Sequence, residues 1–127
     1  MTERRDDLLA VGLDLTVVAL FAAGGRASHA EGTAITDVLH TALPFAAAAL
    51  AAHLVLGWRR RDPRQLLPGL VVWGVTVFGG LAGRLLLGEG ADGAFPVVAA
   101  AILAAGMLAW RLVILAISRR RSRRPAP

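Results

Sequence analysis

"LLAVGLDLTVVALFAAGGRASHAEG", residues 8–32, opens the apolar part of the chain, and its reading decides the fold. Between Leu8 and Ala23 the only charge is Asp14, and the run ends in two glycines followed by Arg26, His29 and Glu31. It can be read as a secretory leader. Arg4 and Arg5 would then be the basic flank and "SHA" before Glu31 a small-x-small cleavage site. Asp14 opposes that reading, because a carboxylate is unfavourable in the apolar stretch of a leader. As a membrane span, the same segment is the first of four, because apolar runs recur at about 37–58, 66–87 and 95–117 after a first run at about 7–25. Each has about the 20 residues that cross a hydrocarbon core of about 30 Å as a helix.

Composition agrees with the span reading. Hydrophobic residues make up 56% of the 127 and charged residues 18%, with a mean hydropathy of +0.60. That leaves too little polar surface for a soluble domain of this size. In a bilayer each backbone N–H and C=O needs an internal partner, so spans this apolar are helices. The expectation is an all-α, integral membrane four-helix bundle forming one domain over residues 1–127. Pro44 falls inside the second run, which continues to Gly57, so it should kink that helix and not end it.

The charges give an orientation. Arg4 and Arg5, then Arg59, Arg60, Arg61 and Arg64, then Arg119, Arg120, Arg121, Arg123 and Arg124 fall on one side of four spans; only Arg26 and Arg84 fall at the other ends. The positive-inside rule places both termini and the basic tail 118–127 in the cytoplasm, with the chain a multi-pass protein of the cell inner membrane. The expected partners follow: the lipid bilayer, with anionic lipid at the arginine-rich face. The sequence pI of about 11.6 reflects this topological arginine, and nucleic acid is not expected. With no cysteine, disulfides and thiolate chemistry are excluded.

Polar residues inside the spans require partners. Asp14 lies about 9 Å inside its span when the helix starts near Leu8. Arg111 in the fourth span and His53 in the second reach similar depths from the same side. This predicts an intramembrane Asp14–Arg111 ion pair with His53 nearby. A second group falls at the opposite end: Arg26 and His29 after the first span, Asp37, His40 and Thr41 on one face opening the second, and Arg84 ending the third. Interfacial capping, a site for a small molecule or anion, and a metal site on the two histidines all suit these residues. No metal or cofactor motif, nucleophile motif or phosphate loop is present, so neither a cofactor nor an enzymatic activity is expected.

Helices in lipid associate where small residues let backbones approach. Thr76, Gly79, Gly80 and Gly83 in the third span, and Ala101, Ala105 and Ala109 in the fourth, form such stripes. They serve either the bundle or a homo-oligomer or membrane-protein partner. Trp73 and Trp110 are expected to fill the bundle or face lipid.

Several of these stretches resemble the small prokaryotic membrane proteins catalogued as domain of unknown function 3054: Asp14 in the first span, "GRASH" at 25–29, "TALPF" at 41–45 and "VVWGVTVFGGLAGR" at 71–84. The resemblance implies a four-helix membrane protein and assigns no catalytic residue. Two functions are expected in turn: a small transport or permease-like component with the outer polar group as its entrance, or a non-catalytic membrane scaffold that packs through its Gly/Ala faces.

Overall fold

The computed structural model describes residues 2–28 and 34–126. They form four helices: α1 (Thr2–Ser28), α2 (Ile35–Trp58), α3 (Leu66–Leu86) and α4 (Phe95–Ser122), with no strand among the described residues. All four are long and apolar enough to cross a membrane. α1 begins within the polar N-terminal segment, and α4 continues through Arg119–Arg121 of the basic tail. α2 passes through Pro44 without ending. His29 and Glu31 lie outside the described residues.

Each helix packs on its sequence neighbours, and α1 also meets α4, which closes a four-membered ring. The centre is apolar: Val18, Phe45, Val72, Leu103 and Met107 are buried. Leu20, Leu54, Leu67, Phe78, Leu86 and Val97 stay exposed on the outside. Asp14, Thr76 and Arg111 are fully buried instead. Apolar side chains outside and polar ones inside is the arrangement expected of helices in a hydrocarbon solvent.

The glycines of α3 set its distance from α2. A Cβ on Gly79 would lie 2.8 Å from the Cβ of Ala48, one on Gly83 would lie 2.7 Å from the Cβ of Pro44, and one on Gly80 would strike the ring of Phe45. Thr76, one turn before Gly80, is buried with its hydroxyl unpartnered and acts as a small packing residue. Ala101, Ala105 and Ala109 are exposed on α4, so none of the three is buried in the core of the ring. The buried face of α4 is Ala99, Leu103, Met107 and Arg111.

Two turns finish the helices in the same way. After α3, Gly88 takes a left-handed φ of 74°. The Glu89 N–H then donates to the Arg84 carbonyl and the Gly88 N–H to that of Leu85, the pattern of a Schellman cap. After α2, Arg60 occupies the equivalent position with φ 53°, a conformation that an L residue other than Gly adopts at a cost. Asp62 then accepts from the backbone N–H of Arg64 at 2.9 Å and from its guanidinium at 3.0 and 3.1 Å.

Gly80→Leu should lower stability by about 1–3 kcal/mol through overpacking against Phe45, read by thermal unfolding in detergent. Gly74→Ala, with open space around its Cβ, is expected to be neutral or slightly stabilising. Equal losses at both positions would remove the α2–α3 seam from this description.

Candidate functional site

The polar residues gather at two levels. The first is built on Asp14, 0% exposed. Its Oδ1 accepts from Arg111 Nη1 at 2.9 Å and from the Trp110 indole N–H at 2.9 Å. Its Oδ2 accepts from Arg111 Nη2 at 2.7 Å and lies 2.8 Å from His53 Nε2. Four contacts from three side chains saturate the carboxylate, and the Arg111 contact is bidentate, the strongest geometry available to this pair. Arg111 Nε donates to the Pro63 carbonyl at 2.8 Å, and Nη1 also reaches the Met107 carbonyl at 2.8 Å. The guanidinium carbon sits 4.2 Å from the Trp110 ring centroid.

Every element contributes to this cluster. α1 supplies the acid, α2 the imidazole, α4 the guanidinium and indole, and the α2–α3 loop a carbonyl. α3 supplies space: a Cβ on Gly69 would collide with the Arg111 side chain. The loop is also tied to the start of α1, through Arg64 to Asp6 at 3.2 Å. The Arg64 hydrogen bonds hold the Asp62 carboxyl below the usual carboxylate range, and the same bonds raise Arg64. A cleft of about 300 Å³ lined by Asp7, His53, Arg61 and Pro63 opens beside the cluster. Trp110, expected only to fill space or face lipid, instead donates to the buried acid; Trp73 likewise donates to the Ala100 carbonyl at 2.9 Å and ties α3 to α4.

The second level lies at the opposite end. Arg26 Nη1 donates to the Thr41 hydroxyl at 2.9 Å and joins α1 to α2. Arg84 donates to the Glu89 carboxylate at 3.1 Å and to the carbonyls of Gly90 and Glu89 at 3.1 and 3.3 Å. The cap at Gly88 folds Glu89 back over the last turn of α3, which makes that pairing local. Glu89 also pairs with His40 of α2. The Arg84 guanidinium carbon lies 4.4 Å from the Phe95 ring centroid, and Phe95, Phe21 and Phe45 form an aromatic group with centroids 5.3–6.4 Å apart. Asp37 is half-buried on α2 and His40 exposed. Neither lines the cavity described next. Among the described residues no three His, Asp or Glu side chains group as a metal site.

Beneath this polar level runs a cavity of about 1060 Å³ along the α1–α4 seam. Arg26, Thr41, Arg84, Glu89 and Asp92 line its mouth. Its walls are Leu20, Phe21 and Gly24 of α1 with Phe95, Val98, Ile102 and Ala105 of α4. It ends where Val17 meets Gly106: a Cβ on Gly106 would lie 2.5 Å from Val17 Cγ1. Leu20 at 68% and Ile102 at 47% exposure show that the cavity is open along its side. No run of sequence announces this seam, because its two walls are far apart in the chain. The periodicity of Val98, Ile102 and Ala105 carries the signal only once α1 and α4 are known to be neighbours.

Trp110→Phe keeps the ring beside Arg111 and removes the indole donor. It should cost about 1 kcal/mol in thermal unfolding, and Trp110→Leu should cost more because the ring contact also goes. No loss in either variant would show that the indole bond contributes nothing.

A family model described as "Protein of unknown function (DUF3054)" matches residues 11–114, which include both polar levels and the whole cavity. No curated protein and no solved structure matches the chain. By the extent of that family match, the chain belongs to the DUF3054 family.

Proposed function

We propose that this protein is a multi-pass membrane protein with both termini in the cytoplasm, and that it works as a small permease-like component whose entrance is the outward-facing mouth at Arg26, Thr41 and Arg84. The observation that carries this reading is the cavity of about 1060 Å³ on the α1–α4 seam, polar at its mouth and apolar along its walls. Ligand sites of this kind are concave, mostly apolar and fixed by a few polar groups. The distribution of arginine supports the orientation, with the Arg-rich end of the bundle against anionic cytoplasmic lipid. Glu89 and two carbonyls hold Arg84 in place, so it stands at the mouth as half of an ion pair and not as a lone cation.

One observation favours a second reading. Ala101, Ala105 and Ala109 form an exposed small-residue stripe on α4, the kind of face on which membrane helices associate. A scaffold role, in a homo-oligomer or with another membrane protein, would use it.

The absence of cysteine makes site-directed labelling clean. With a membrane-impermeant maleimide on intact cells, Ala91→Cys in the α3–α4 loop and Val98→Cys in the cavity should react. Ala101→Cys, off the cavity, and Ser122→Cys, at the end of α4, should stay silent, the latter until cells are permeabilised. Reaction of Ser122→Cys in intact cells would reverse the orientation, and silence of Val98→Cys beside a reactive Ala91→Cys would remove the open entrance. Spontaneous Ala101→Cys dimers with a silent Val98→Cys would favour the scaffold.

A further inference from the structure

We propose that the α1–α4 cavity takes a single-chain amphiphile with a zwitterionic head group, the chain lying along the seam and the head at the mouth. This rests on the entrance reading above and names its ligand class.

The shape points to a chain. The cavity is a furrow with one polar end. Phe95 at the mouth and Gly106 at the floor are about 16 Å apart along α4 at the helical rise, which is about half of a hydrocarbon core of about 30 Å. A furrow of that length, open sideways along Leu20 and Ile102, accepts an extended chain from one leaflet. A compact polar solute would leave its apolar walls facing water, at a cost that grows with the area left wet.

The charges of the mouth point to the head group. The described side chains lining it include two guanidiniums, Arg26 and Arg84, and two carboxylates, Glu89 and Asp92. Their formal charges cancel. Arg84 and Glu89 already pair with each other, so the mouth presents both signs side by side: a wholly anionic head on Arg84 would also meet Glu89, and a cationic head would meet the reverse problem. A head with a phosphate and an ammonium can set each of its charges against the opposite member of the pair. The Thr41 hydroxyl, which accepts from Arg26, keeps its own proton to donate.

The test is native mass spectrometry of the full chain in a neutral maltoside detergent, titrated with dodecylphosphocholine, dodecyl phosphate and chainless phosphocholine. Dodecylphosphocholine should be retained one per chain, at least tenfold more tightly than dodecyl phosphate, and phosphocholine should not be retained. Ala105→Trp fills the furrow from a position where the side chain is exposed, and it should weaken retention at least tenfold. Gly74→Leu, away from the cavity with free space at its Cβ, should leave retention unchanged. Unchanged thermal unfolding in Ala105→Trp separates a filled furrow from a misfolded chain. Equal retention of dodecyl phosphate would overturn the zwitterion while leaving the entrance in place. Retention of phosphocholine alone would overturn the chain-binding furrow. Retention unaffected by Ala105→Trp, or no retention of any probe, would overturn the proposal; the labelling of Val98→Cys then decides separately whether the entrance survives.

Discussion

The bidentate contact between Asp14 and Arg111 is the constraint on which the rest of the bundle depends. Neither ion can be left alone in an apolar interior, since unpaired burial costs several kcal/mol per charge. Each must therefore have its partner in the closed bundle. The partners lie on the first and last helices, so satisfying them draws α1 onto α4 and turns a row of helices into a ring. The other donors fix the details. Trp110 and His53 saturate the carboxylate, the Pro63 carbonyl captures the third guanidinium edge, and Gly69 leaves the space that the arginine fills.

The cavity follows from the same constraint. α1 and α4 are tied at Asp14–Arg111 and touch again at Val17–Gly106. Beyond that point their facing residues are Leu20, Gly24, Val98 and Ile102, and these line open space. Near the mouth the Phe21–Phe95 ring contact, with centroids 6.1 Å apart, links the two helices. α2 and α3 behave differently, because small residues at Gly79, Gly80 and Gly83 hold them together along much of their length. The α2–α3 seam is thus closed by small residues, whereas the α1–α4 seam is closed only at its lower end.

Much of this was legible in the sequence because the four helices are long, apolar and separated by charge. The four runs locate the helices to within a few residues inside each span. The ends differ more, because helical hydrogen bonding continues into the charged segments at Thr2–Asp7 and Arg119–Ser122. Depth counted along each helix brings Asp14, His53 and Arg111 to one level, and the structure sets them in contact. Depth says nothing about rotation around the helix axis. That is why the indole of Trp110 was not assigned to the acid, and why the alanine stripe of α4 could not be told from its buried face. Glu89 stands five residues after Arg84 in the chain, but its contact depends on the left-handed turn at Gly88. The α1–α4 cavity depends on which helices are neighbours, a property of the closed ring that no single segment carries.

The central claim is that Asp14 and Arg111 act as one unit that holds the first helix to the last. A double-mutant cycle with Asp14→Asn and Arg111→Met, followed by reversible unfolding in a lipid-like detergent, tests it most directly. Each single change leaves a buried charge without its counter-ion and should cost about 3–5 kcal/mol. The double variant removes both charges and should cost clearly less than the two losses added, with a coupling above about 1 kcal/mol. Losses that simply add, or single variants as stable as the parent, would contradict the account.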